Sequence, residues 1–174
     1  MDFRLSIGSN LSREELGKLL YDMLCEVFFV ELIDYEAEVW ASSYTERINI
    51  GCSYFSMSID LDAEEDYIEY FREMNREAYG VNTNVLISIQ FISRTFEIGW
   101  VKLLEVIGKL LRLNDQDLVL EDDAPDSLLK RIKGSLLIKG NLDEYQTWLM
   151  SKENLALLNC PYEEDLLKTN KEEK

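Results

Sequence analysis

The sequence predicts an α+β fold, an antiparallel sheet of about five to seven strands with two main helices packed on it and a peripheral C-terminal helix. Three observations lead there. Apolar and polar residues alternate at several places along the chain, the period of a half-buried strand. Residues 63–79 and 97–113 instead repeat their apolar side chains at the three-and-four spacing of a helix. The spacers between neighbouring strand-like segments are too short for parallel crossovers, which take roughly a dozen residues or more. Composition agrees: with 47% hydrophobic and 11% aromatic residues but only 8 Gly and 2 Pro in 174, the chain has a core to bury and few breakers.

In chain order, Phe3, Leu5 and Ile7 alternate with Asp2, Arg4 and Ser6 and predict a strand. Ser12 stands three residues before Glu15, as in a capping box, and Leu16, Leu19, Leu20, Met23 and Leu24 then recur on one helix face. Val27 to Ile33, Tyr35 to Ala41 and Ile48 to Leu61 predict three antiparallel strands, joined by hairpins around Asp34 and Ser42 to Glu46. Within the longest of them the apolar parity begins only after Gly51, where a bulge is expected. Ala63 to Tyr79 predicts a helix with an acidic first turn and Gly80 as its stop.

Val85, Ile87, Ile89 and Phe91 form the next alternating strand. A second long helix, about Glu97 to Leu113, has a narrow polar stripe of Lys102, Glu105, Lys109 and Arg112, so it must be packed on several sides. Asp117 to Glu121 and Ser135 to Lys139 predict short strands flanking a helical turn that Asp123, Pro125 and Asp126 would start. Tyr145 to Leu158 predicts one further helix, stopped at Cys160-Pro161. Residues 1–160 read as one domain with no internal repeat, and residues 161–174 as an acidic, flexible tail.

The charge balance speaks to function. The chain has no histidine, and 34 acidic side chains against 18 basic ones give a net charge of -16. Histidine is the side chain that titrates near neutrality unaided and the commonest general base, so its absence points away from an enzyme. A field of this sign repels nucleic acid and membrane surfaces and attracts basic protein surfaces. Gly-rich phosphate loops, Gly-x-Ser-x-Gly elbows and Cys-x-x-Cys pairs are all absent from the sequence. Cys25, Cys52 and Cys160 cannot all pair, and their spacing matches no thiolate metal site. No metal or cofactor is expected, and free thiols with no leader-like N-terminus predict a cytoplasmic protein.

The most concentrated signal runs from Glu31 to Glu77, where 13 acidic residues face only Arg47, Arg72 and Arg76, a net -10 of the total -16. Within it Asp60, Asp62, Glu64, Glu65, Asp66, Glu69 and Glu73 crowd the passage from strand to helix, with Tyr67 and Tyr70 among them. A solvated helix face explains many such runs, but clustered like charges cost stability unless a partner offsets them. These nine residues are the candidate partner-binding set, the tyrosines as aromatic anchors. Asp60-x-Asp62-x-Glu64 begins like a calcium loop, yet Glu65 stands where the turn needs glycine and Phe71 where the last carboxylate belongs. Trp40, Trp100 and Trp148 read as core residues, Trp148 being the one whose amphipathic segment also suits an anchor.

Several phrases resemble the third family of Sit-type immunity proteins, which protect a bacterium from its own polymorphic toxin. They are the opening strand with Leu11-Ser-Arg-Glu-Glu15, the segment Ser58-Ile-Asp-Leu-Asp-Ala-Glu-Glu-Asp-Tyr67, the apolar helix from Gly99 into Asp117-Leu-Val-Leu-Glu121, and Pro161-Tyr162-Glu163. After Glu121 the pattern of that family implies a tight Asn-Gly hairpin, where this chain has Asp122-Asp-Ala-Pro-Asp126 and an expected helical insert. The resemblance implies a protein that binds a cognate toxin and neutralises it by stoichiometric inhibition. Two other readings stay open: an acidic nucleic-acid mimic that blocks a DNA-binding enzyme, and a carboxylate-based enzyme.

Overall fold

The structure, a computed structural model, describes residues 1–29, 39–43, 46–122 and 127–165. Its elements run β1 (Asp2–Ile7), α1 (Arg13–Phe29), β2 (Trp40–Ser43), β3 (Arg47–Gly51), β4 (Phe55–Asp60), α2 (Glu65–Tyr79), β5 (Val85–Phe91), α3 (Phe96–Leu113), β6 (Leu118–Glu121), β7 (Ser127–Ile132), β8 (Ser135–Lys139), α4 (Glu144–Leu149), α5 (Lys152–Ala156) and β9 (Glu163–Asp165). Among the described residues nine strands form one sheet in the order β2-β3-β4-β5-β1-β6-β7-β8-β9. Every pairing is antiparallel except the parallel β8–β9. The fold is α+β, as the sequence predicts, with more strands than expected.

Alternation sorts the two faces. Phe3, Leu5 and Ile7 of β1 and Val85, Ile87, Ile89 and Phe91 of β5 are buried in the core that α1 and α3 share. Leu118 and Leu120 of β6 join that core, while Val119 between them packs with Tyr79 and Val81. The chain end of α2 therefore lies on the opposite face. The capping box forms: the Ser12 hydroxyl accepts from the Glu15 N–H and the Glu15 carboxylate accepts from the Ser12 N–H at 2.8 Å. Packing of α3 on several sides also holds. The Trp100 indole donates to the Leu149 carbonyl at 2.8 Å, and a Cβ on Gly108 would sit 2.7 Å from the Leu158 carbonyl oxygen. Its polar stripe faces a neighbour as well as water, since Lys109 pairs with Glu26 of α1 at 2.6 Å.

Several expectations are corrected. Val27 to Phe29 continue α1, because Val27 falls on the buried face with Met23 and Leu24 and no breaker intervenes. Residues 30–38, the rest of the expected strands and the Asp34 spacer, lie outside the described residues. The long strand Ile48 to Leu61 is a hairpin: Cys52 N–H donates to the Phe55 carbonyl, and Ile48 pairs with Ile59 and Ile50 with Met57. A loop of two residues shifts the apolar parity from even to odd, which is the switch that resembled a bulge. Gly51 serves a different purpose there, since a Cβ would come within 2.5 Å of the Trp40 indole.

Farther on, Ser127–Ile132 is a strand where helix was expected, and Asp123, Pro125 and Asp126 fall outside the described residues. The β7–β8 turn has Lys133 at φ 50° and Gly134 at φ 84°, the doubly left-handed geometry that suits a two-residue hairpin. The C-terminal helix breaks in two because Ser151 opens a new N-cap for Asn154 after Met150 leaves helical geometry. Glu163–Asp165, within the expected tail, pairs with β8 as an edge strand. Residues 166–174 are outside the described residues.

Candidate functional site

Position comes first from the sheet. Asp60 ends β4, and its carboxylate accepts from Arg47 Nε at 2.7 Å across the β3–β4 pair. Arg13, at the start of α1, donates to the Asp60 carbonyl at 2.8 Å and to the Leu61 carbonyl at 3.3 Å, which fixes where the chain leaves the sheet. Asp62 and Glu64 follow on the short connection. Glu64 precedes α2 with extended backbone and no side-chain cap, so Glu65 and Asp66 in the first turn supply the negative charge that the exposed helix N–H groups favour. Gly80, at φ 73°, ends the helix as predicted.

The helix is amphipathic by charge as much as by size. Phe71, Asn75 and Tyr79 are its buried residues. Asn75 donates to the Thr83 hydroxyl at 2.7 Å, and the Tyr79 hydroxyl donates to the buried Glu121 carboxylate at 2.5 Å. All nine candidate residues, Asp60, Asp62, Glu64, Glu65, Asp66, Tyr67, Glu69, Tyr70 and Glu73, are exposed. Tyr67 is 55% and Tyr70 66% exposed, and Met74, 41% exposed, continues their flank at the next turn. Glu69 is held by Arg72 at 2.9 Å. Among the described residues Asp62, Glu64, Glu65, Asp66 and Glu73 make no ion pair.

Tyr67 also lines a hollow of about 560 Å³ with Glu46, Arg47, Asn49, Asp60, Asp62 and Ala63. Beyond it the sheet register carries a polar row, Ser42, Asn49, Ser58, Ser88 and Arg4, across five strands on the face that α2 only partly covers. The acidic segment thus borders an accessible, polar sheet surface. Sequence reading located the carboxylates and tyrosines but missed Arg13, Arg47 and Met74. The two arginines act on residues 47 and 13 positions away, a relation no local pattern encodes, whereas Met74 was hidden by its helix-core spacing.

A second polar site is structural. Arg131, placed by β7, donates to the carbonyls of Leu111 at 2.7 Å and Asn114 at 2.8 Å, and so closes the C-terminal end of α3. Burial lowers its guanidinium below the ordinary value, opposed by the nearby Asp115. Cys25, Cys52 and Cys160 are all free thiols, and burial raises that of Cys52. Among the described residues no three Cys, Asp or Glu side chains converge as around a metal ion, and no helix is long and apolar enough to cross a membrane. No family model matches the chain, and neither a curated protein nor a solved structure matches it.

Proposed function

We propose that the protein is an immunity-type inhibitor, acting in the cytoplasm, that binds a basic toxin through the start of α2 and blocks it one-to-one. The observation that carries this reading is the assembly of seven carboxylates and two exposed tyrosines on one strand-to-helix passage. Carboxylates there raise the rate of encounter with a basic surface, because long-range attraction steers diffusion. Tyr67 and Tyr70 then supply broad, stiff contact area at short range. The chemistry needed is occlusion alone, which suits a chain without histidine. Fifteen helical residues extend only about 22 Å, a compact patch that favours a dedicated protein partner over mimicry of a long phosphate backbone.

The reading requires a toxin gene beside the gene for this chain, and the test takes the toxin so encoded. Co-expression is expected to restore growth, and titration of purified protein into the toxin is expected to end activity at equimolar amounts. Turnover of a substrate by the protein alone, abolished by changing one carboxylate, would overturn the reading, as would the absence of any such neighbouring toxin.

A further inference from the structure

We propose that the toxin's contact reaches beyond α2 into the corner between that helix and the bare half of the sheet, where a basic segment of the toxin lies across Asn49, Ser58 and Ser88. This inference rests on the inhibitor reading above and says where its partner sits. The register shows where the bare half begins. Helix α2 runs from the end of β4 to β6 and β7, where Tyr79 packs on Val119 and its carbonyl accepts from Lys130 at 3.1 Å. Beneath it the row Leu86, Ser6 and Val119 is half-buried at Leu86 and sealed from solvent at the other two. Two residues along each strand, Asn49 and Ser58 are half-buried while Ser88 and Arg4 are exposed. Two residues farther, Gln90 and Asp2 are exposed beside Ser56 and Gly51. Two uncovered rows at this spacing make a strip about 13 Å wide, enough for one helix or extended segment.

Both sides of the strip carry interface side chains. Tyr67 and Met74, seven residues apart and so on one flank of α2, stand over the strip on the helix side, and Tyr67 lines the corner hollow together with Asn49. Trp40, 43% exposed, rims the far side with its indole over Gly51. Among the described residues the side chains of Asn49, Ser58, Ser88, Gln90 and Arg4 make no hydrogen bond or ion pair within the chain. Their amides, hydroxyls and guanidinium are available to a partner, with aromatic anchors on either side. Charge selects that partner. The elements that build the corner, residues 2–7, 40–79, 85–91 and 118–121, carry eleven carboxylates against four arginines. One of the four, Arg47, is already held by Asp60, and Arg13 below the corner is spent on the Asp60 and Leu61 carbonyls. Residues 30–38 and 123–126 add six carboxylates and no cation, so the sign holds with them counted. A second copy of this chain or a phosphate backbone is repelled from such a corner, and a lysine- or arginine-rich protein segment is drawn in.

Hydroxyl-radical footprinting of the unaltered chain, alone and in complex with the toxin encoded beside it, tests the position without any substitution. Trp40, Tyr67 and Met74 are expected to lose at least half of their oxidation rate in the complex, while Tyr162, next to β9 at the other edge of the sheet, keeps its own. A pair of substitutions at exposed Ser88 tests the sign of the occupant. Ser88→Lys is expected to weaken the complex at least tenfold and Ser88→Asp to hold or tighten it, with melting curves as the control for folding. Equal effects of the two substitutions overturn the basic occupant. Trp40 and Met74 left unprotected in a complex that still neutralises the toxin overturn this inference and leave the inhibitor reading standing. A chain that fails to neutralise the toxin at all removes both.

Discussion

Helices α2 and α3 are of similar length, fifteen and eighteen residues, and lie on opposite faces of one sheet, yet α2 buries three residues and α3 eleven. The difference separates what holds the molecule together from what it presents. On α3, Trp100, Leu103, Leu104 and Ile107 are inaccessible to solvent and meet α1, the sheet and the C-terminal helices. On α2 two rings, Phe71 and Tyr79, and two polar bonds do most of the anchoring, and the remaining faces are charged or tyrosine-bearing. A helix with so little committed to the core can change its surface freely. That is the property expected of an element whose partner, and not its own fold, sets its sequence.

The largest effect should come from the α3 side. Trp100→Ala is expected to destabilise the fold by about 3–5 kcal/mol, since it empties a fully buried site against Phe3, Phe91 and Phe96 and removes the donor to Leu149. Denaturant titration checks it, and a loss under about 1 kcal/mol would erase the contrast between the helices. On the α2 side a smaller loss is expected at Tyr79→Phe. It leaves the buried Glu121 carboxylate short of a donor and should cost about 1–3 kcal/mol, whereas Tyr67→Phe and Tyr70→Phe should stay within about 0.5 kcal/mol.

The same contrast explains what could be read from the sequence. Elements with one clean period were legible: β1 and β5 by alternation, α3 by its wide apolar arc, and Gly80 as the end of α2. Failures cluster where a rule depends on something distant or on a single residue. Nothing local distinguishes Val27 and Phe28 in a helix from the same residues in a strand until Leu24 and Lys102 are seen packed beside them. The loop at Ser53 and Tyr54 shows only as a change of parity. The sequence of Ser127–Ile132 reads as helical because Pro125 and Asp126 imitate a helix start, although its pairing with β6 and β8 decides otherwise. The candidate site was legible in its charges, but its attachment through Arg13 and Arg47 is long-range.

A smaller effect sharpens the comparison in alkali, where the two faces should titrate with opposite sign. Burial raises the Cys52 thiol on the α1–α3 side above its ordinary value, so the folded state holds a proton the unfolded chain has released. Its contribution is fully present below the ordinary thiol range and is lost as pH climbs toward the raised value. Burial lowers Lys130, which donates to the Tyr79 carbonyl on the α2 side, with Asp165 opposing the shift. Between the lowered value and the ordinary lysine range the unfolded chain binds the extra proton, so this group adds stability as pH rises. Relative to the unaltered chain, Cys52→Ala should flatten the alkaline decline in melting temperature and Lys130→Met should steepen it. Slopes that move together in the two variants would break the assignment of the groups to separate faces.

The smallest change in stability is expected where the change in charge is largest. Replacing Asp62, Glu65 and Glu69 together by lysine shifts the net charge from -16 to about -10, counting two units for each exchange. All three are exposed, and among the described residues the ion pair lost is that of Glu69 with Arg72, on the helix surface. Stability should therefore stay within about 0.5 kcal/mol, and relief of repulsion along the first turns can offset the loss of favourable charge at the helix N-terminus. Association with a basic toxin should respond very differently. Steering acts over distances comparable to the screening length, roughly 8 Å at physiological salt, so the association rate should fall steeply and lose most of its dependence on salt. Binding time courses at two salt concentrations, with melting curves as the control, separate the two quantities. An unchanged association rate in a variant that melts normally would leave the α2 run as solvated surface and move the search for the toxin interface to Trp148 and the C-terminal segment.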